Sequence, residues 1–200
     1  MQNKLRLILP LAIIALICGL VITVTHEFTA EKIKDNARKF SLGIIESVIT
    51  VPYDNDLYND YMEVTEPGYL GSDKPVTIFR LRQNNQPHGI VLFPVKCKGY
   101  SGNIELTVGI AYDGTLMGVR VFKHTETEGL GDRIDSKKTD WILHFTDHSL
   151  DNTPLGDWAV TADGGKFDEL SGATITSRGV VTAVRKSLEF YQANRDRLYQ

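Results

Sequence analysis

The residues best suited to chemistry lie together in the segment Asp168-Glu169-Leu170-Ser171-Gly172-Ala173-Thr174-Ile175-Thr176-Ser177. It is a run of small hydroxyl residues and glycine that leads into a helix-patterned stretch. The first amides of a helix have no partner within it, and the helix dipole adds partial positive charge there, so such a place favours phosphate. Arg178 could contact the same anion. The Thr174 hydroxyl can be esterified by phosphate, and neighbouring amides would hold the resulting anion. Gly172 lets the backbone approach closely because no Cβ intervenes. The residues alone leave a plainer reading open: a loop closed by an ordinary helix cap at Thr176 or Ser177.

A second segment, His124-Thr125-Glu126-Thr127-Glu128-Gly129-Leu130-Gly131-Asp132, places His124, Glu126 and Glu128 on one face of a strand end. That hints at metal ligation. One His and two carboxylates at this spacing match no diagnostic set, however, so a solvated strand end is the plainer reading and no metal is expected. His26, His88, His144 and His148 form no constellation. Cys18 lies in an apolar run far from Cys97, and no CxxC occurs, so neither a disulfide nor zinc or iron–sulfur ligation is expected. No GxGxxG in a βαβ setting is present, which argues against an NAD site on this chain. A net charge of -3 gives no basic footprint for nucleic acid.

These segments need a scaffold. The 200 residues, 42% of them hydrophobic, suit one globular domain with an anchor. Leu7 to Thr25 carries no charge over roughly 19 residues, about the length that spans a hydrocarbon core. The run exceeds the roughly 7–15 residues of a signal peptide and lacks an Ala-x-Ala site after it, which favours a retained transmembrane helix. Lys4 and Arg6 before it predict a cytoplasmic N-terminus, with the rest of the chain outside the inner membrane. The expected organisation is a tip and anchor over 1–25, a juxtamembrane helix over 26–50 and a globular domain over 51–200. Phe28, Ile33, Ala37, Phe40, Ile44 and Val48 recur at helical spacing. Residues 51–75 read as irregular, with turn signals at Pro52, Asn59-Asp60 and Pro67-Gly68.

Strands are predicted over 76–81 and 89–95 around an Asn84-Asn85 hairpin, and over 103–112 and 116–122 around Asp113-Gly114. A short helix over 137–145, a short strand over 158–161 and a helix over 177–194 follow. Val180, Val181, Val184, Leu188 and Tyr191 form the last helix's apolar stripe. The class is α+β, an antiparallel sheet flanked by helices.

The segment from Asp168 to Thr174 resembles the flavinylation motif Asp-x-x-Ser/Thr-Gly-Ala-Thr. That motif belongs to the G subunits of Rnf electron-transport complexes and to their relatives, the C subunits of sodium-pumping NADH:quinone reductases. Asp168, Ser171, Gly172, Ala173 and Thr174 fill every defined position. The His124–Asp132 segment resembles the family's His-x-Glu-Thr-Pro-Gly-Leu-Gly-Asp signature, with Glu128 where the family usually has Pro. Gly99-Tyr100-Ser101-Gly102, Trp141 and Asp163-Gly164-Gly165 complete a resemblance that runs from about Pro94 to Arg185.

The resemblance implies an FMN-binding domain whose FMN is joined by a flavin transferase, through a phosphoester, to Thr174, with Thr176 the second-choice acceptor. It places Asp168, Ser171, Gly172, Ala173, Thr176 and Ser177 about the attachment point, and His124, Glu126, Gly129, Leu130 and Gly131 in the flavin pocket. Redox chemistry would belong to the flavin ring, with no catalytic residue on the chain. The implied partners are the other membrane subunits of an Rnf-type complex, which couples electron transfer between ferredoxin and NAD to ion movement across the inner membrane. The chain's length favours Rnf over the quinone reductase. The competing reading is a single-pass membrane sensor or ligand-binding module without covalent flavin.

Overall fold

Alternating apolar and polar residues from Val76 onward build most of an antiparallel sheet in a computed structural model of the chain. It describes residues 2–57 and 59–199, with side chains placed at 10, 13–30, 32, 41, 43–57 and 59–199. The sheet has five strands in sequential order: β1 (Tyr61–Val64), β2 (Val76–Gln83), β3 (Gln86–Lys98), β4 (Asn103–Ala111) and β5 (Leu116–Lys123). Asn84 and Asn85 take φ of 49° and 62° between the paired Gln83 and Gln86, the left-handed pair that a tight hairpin demands. The Asp113-Gly114 turn is wider than two residues. The Ala111 N–H donates to the Thr115 carbonyl, and the Asp113 carboxylate accepts from the Thr115 N–H.

One face of the sheet packs on the last helix, α3 (Thr174–Leu198), through Ile90, Leu92, Ile104 and Leu106 against Val180, Val184 and Leu188. The alternation along β4 predicts a polar second face, yet Thr107 is fully buried there. The reason is a second, smaller core. Ile45, Val48 and Leu57 cross this face and pack with Leu81, Val91 and Met117. Gly109 admits the crossing chain, since a Cβ there would stand 2.5 Å from the Val48 carbonyl oxygen.

Between residues 51 and 75 the chain is more ordered than its turn residues suggest. β1 pairs with β2, and Pro67 opens a short helix, α2 (Pro67–Leu70), that Gly71 closes at φ 68°. Over 137–145 only Trp141–Phe145 is helical, as a 3-10 turn. The strand expected over 158–161 shrinks to one bridge, Val160 to Phe167, flanked by 3-10 turns. Aromatic packing replaces the ladder: Phe167 lies 4.9 Å from both Phe145 and Trp158, ring centre to ring centre.

The first helix, α1, runs unbroken from Gln2 to Glu46, so the helix expected over 26–50 continues the apolar run and ends earlier. Two compact units divide the chain between Leu42 and Gly43. The stripe at Ile33, Ala37 and Phe40, and the side chains of Lys4 and Arg6, lie outside the described residues. Ile13–Ala30 is long and apolar enough to cross a membrane, and none of it is buried. Its hydroxyls are satisfied internally: Thr23, Thr25 and Thr29 donate to the carbonyls of Gly19, Val21 and Thr25.

Gly179 tests how closely α3 sits on the sheet. Helix propensity alone favours Gly179→Ala by about 1 kcal/mol. The new Cβ would collide with the Lys98 carbonyl oxygen, a backbone atom that cannot swing aside. We expect a net loss of about 1–3 kcal/mol in urea denaturation, because overpacking outweighs propensity. A stabilised variant would show that the contact is looser than described.

Candidate functional site

Just beyond the end of β5 the chain turns Glu126 inward, to 8% exposure. A buried carboxylate is tolerated only when hydrogen bonds replace water. Here Oε1 accepts the Ser101 N–H at 2.9 Å, and Oε2 accepts the Thr176 hydroxyl at 2.5 Å. The Glu126 N–H donates to Nδ1 of His124. Both glycines beside the carboxylate leave it the space it occupies. A Cβ on Gly99 would collide with Oε1, and one on Gly131 would stand 2.5 Å from Oε2. Three segments distant in sequence therefore meet on one side chain.

The start of α3 departs from the expected capping. Neither Thr176 nor Ser177 is the N-cap; that place belongs to Ala173, and no side chain caps the helix. Thr176 and Ser177 are instead fully buried within the first turn. Ser177 Oγ accepts the Leu170 N–H at 3.0 Å and donates to the Ala173 carbonyl, which winds 170–173 back on the helix. Thr174 is the first helical residue and is half-buried. Among the described residues its hydroxyl has no hydrogen-bond partner. Ser171 and Gly172 are exposed, and Gly172 takes φ 78°.

Apolar side chains stand open around this point. Leu130 is 46% exposed, Ile175 51% and Tyr100 73%. Leu130 lies over Gly172, where a Cβ would come within 3.2 Å of its Cδ2. Gly129, at φ 78°, donates its N–H to Asp132, and Lys138 bridges Asp132 and the exposed Glu128. Gly131 serves Glu126, an intramolecular need that its place in the motif does not disclose.

Asp168 contributes its backbone, whose carbonyl accepts Nε1–H of Trp141, and its side chain is exposed. Arg178 does not stand free for an anion. It forks onto both oxygens of Asp163 at 2.5 and 2.7 Å, and that contact holds the Asp163 carboxyl below its ordinary pKa. Glu169 is likewise held low by the Thr161 hydroxyl and the Ala162 amide. These links pin the 161–169 loop. Sequence reasoning named the turn around Ser101 but not its part: the contribution is a backbone N–H, which no residue type announces. Cys97, also unassigned, is partly buried beside this site. Burial, and then the Glu126 charge, push its thiol up to about 12.

Comparison with known proteins gives this geometry a context. Residues 99–189 match the FMN-binding domain family, and residues 9–48 match the RnfG N-terminal region. The G subunit of an ion-translocating oxidoreductase complex from Pseudoalteromonas atlantica is 40% identical, over 96% of this chain and 89% of its own length. The protein of that name from Pseudomonas aeruginosa is 37% identical, over 98% and 92%. This chain belongs to that G-subunit family. A solved structure of the C subunit of the Na+-translocating NADH-quinone reductase from Parabacteroides distasonis is 20% identical. It covers 74% of this chain and 72% of its own, with a TM-score of 0.45. The match to the FMN-binding domain family begins at Gly99, the first of the glycines that close on Glu126, and includes Thr174.

Two measurements test this arrangement. Glu126→Ala removes both acceptors and strands the buried Thr176 hydroxyl, so we expect a loss of about 2–4 kcal/mol in chemical denaturation. Glu126→Gln, which keeps an acceptor and the volume, should lose less; equal losses would mean that the hydrogen bonds do not matter. For Cys97, folding raises the pKa, so its contribution to stability is complete below pH 9.0 and is lost as pH rises from there through about 12. In a Cys18→Ser chain at about pH 8, iodoacetamide should spare Cys97 until urea unfolds the domain. Rapid labelling of the folded chain would contradict a shielded thiol.

Proposed function

We propose that this chain is a membrane-anchored electron-transfer subunit of an Rnf-type complex, with FMN joined through its phosphate to Thr174. The supporting observation is the contrast between the two candidate hydroxyls. That of Thr176 is fully buried and committed to Glu126, whereas that of Thr174 is half-buried and uncommitted at the start of an uncapped helix. Esterification would join Thr174 Oγ1 to the phosphorus of an activated FMN donor as the donor's bond from phosphorus to its leaving group breaks, and the leaving group departs with the hydroxyl proton. The resulting phosphodiester anion suits the unpaired first-turn amides. Gly172 leaves room for it, and Tyr100, Leu130 and Ile175 offer apolar cover to the rest of the group.

When bound, the flavin supplies the reversible electron transfer; the chain's residues hold it and tune its surroundings. Thr174 is an attachment point and carries no proton during turnover. A flavin transferase would install the group, and the other membrane subunits would exchange electrons with it. The complex would couple ferredoxin and NAD to ion movement across the inner membrane. Lys4 and Arg6 before the apolar run favour a cytoplasmic N-terminus and a periplasmic flavin domain.

The chain made beside its native transferase should keep flavin fluorescence on the denatured band. The peptide containing Thr174 should be heavier by the mass of FMN less water. Thr174→Ala should abolish both signals. If that variant retains the adduct, the attachment site lies elsewhere.

A further inference from the structure

β5 carries an arginine that the fold does not neutralise. Gly118, Arg120 and Phe122 alternate onto the second face of the sheet, the one that Ile45, Val48 and Leu57 cross. A Cβ on Gly118 would stand 3.4 Å from Val48 Cα and 3.5 Å from Nη1 of Arg120, so the guanidinium lies beside the crossing chain. Nη1 donates to the Val119 carbonyl at 2.9 Å, and among the described residues no carboxylate reaches it. Glu105, the acid that β4 presents on this face, is paired with Lys96 at 3.3 Å. Burial holds the Arg120 pKa below its ordinary value. On the same face Phe93 of β3 and Phe122 of β5 meet across β4, edge to face with ring centres 4.8 Å apart, and both stay partly exposed.

We propose that this patch docks another subunit of the complex, which brings an Asp or Glu carboxylate onto Arg120 while Phe93 and Phe122 bury against its apolar surface. The inference rests on the reading that the chain works within a membrane complex, and it stands whether or not FMN is joined to Thr174. Charge complementarity is the first argument. A cation half removed from water and left without a counter-charge is unfavourable, and the planar guanidinium fork matches a carboxylate at two points. Composition is the second. Arginine beside paired aromatics is the make-up of the few residues that carry most of the energy of an interface. Continuity is the third and selects the occupant. Ile45 belongs both to the last turn of α1 and to the core on this face, so the chain enters the domain over the patch. A partner held in the same membrane can follow the chain onto Arg120.

The test uses the whole complex, purified through another subunit, with the photoreactive p-benzoylphenylalanine in place of Phe122. Irradiation should join the chain to another subunit at a segment that carries Asp or Glu. Arg120→Gln should lower the yield about tenfold. Arg120→Lys should lower it less, because it keeps the charge and loses only the fork. Reversing the identified acid to Lys should lower the yield as Arg120→Gln does, and Arg120→Glu should restore it with that partner variant. Such a rescue cannot come from a chain that fails to fold. Arg195→Gln, on α3, should change nothing. A cross-link only to lipid, to a second copy or to this chain's own residues overturns the docking assignment. So does a yield indifferent to Arg120→Gln, or one lowered equally by Arg195→Gln. A wild-type chain that co-purifies with no other subunit overturns the reading of a complex itself.

Discussion

The loops of the FMN-binding domain are organised by a buried charge. Glu126 sits where water cannot reach it freely, and an unpaired carboxylate there would cost several kcal/mol. Its oxygens are met by the Ser101 amide, 25 residues earlier, and the Thr176 hydroxyl, 50 residues later. The 99–102 turn, the exit from β5 and the first turn of α3 therefore cannot relax independently. Losing the Ser101 amide or the Thr176 hydroxyl would leave one carboxylate oxygen without its hydrogen bond. This constraint also explains why two of the loops carry glycine at their closest approach: the carboxylate occupies the space that a side chain would need.

The same contact separates the duties of neighbouring hydroxyls. In the run from Ser171 to Ser177, hydroxyl residues look interchangeable as a string. In the fold Thr176 solvates Glu126, Ser177 ties back Leu170, and Thr174 is left uncommitted. Arg178, which looks like an anion contact from its place after the motif, is occupied by Asp163. The local structure thus narrows the chemistry more sharply than residue type does.

The sheet was legible because its signals are local. Alternation from Val76 to Phe122 and the Asn84-Asn85 turn depend on near neighbours, and the strands formed where the pattern placed them. The buried second face was not legible, since Thr107 is covered by a segment about sixty residues earlier, and nothing in β4 except Gly109 hints at it. β1 escaped notice because an edge strand of Tyr61–Val64 is too short to show a period. The stretch around Trp158 was misread as a strand because aromatics suit strands, whereas here Trp158 and Phe167 pack ring against ring at a tilt. At the candidate site, the motif's small residues could be read directly. The part played by Glu126 could not, because it is defined by long-range partners, one of them a backbone amide.

Thr174 belongs to a helix of 25 residues whose apolar stripe is buried against the sheet. A hydroxyl on a free loop would carry an attached group through whatever arc the loop allowed. On the first turn of α3 it moves only as the sheet moves. Electron transfer weakens steeply with separation, so the proposed mount on α3 would make the hopping distance a property of the fold, not an average over motion. The proposed tether would also keep small the rearrangement that accompanies each change of charge.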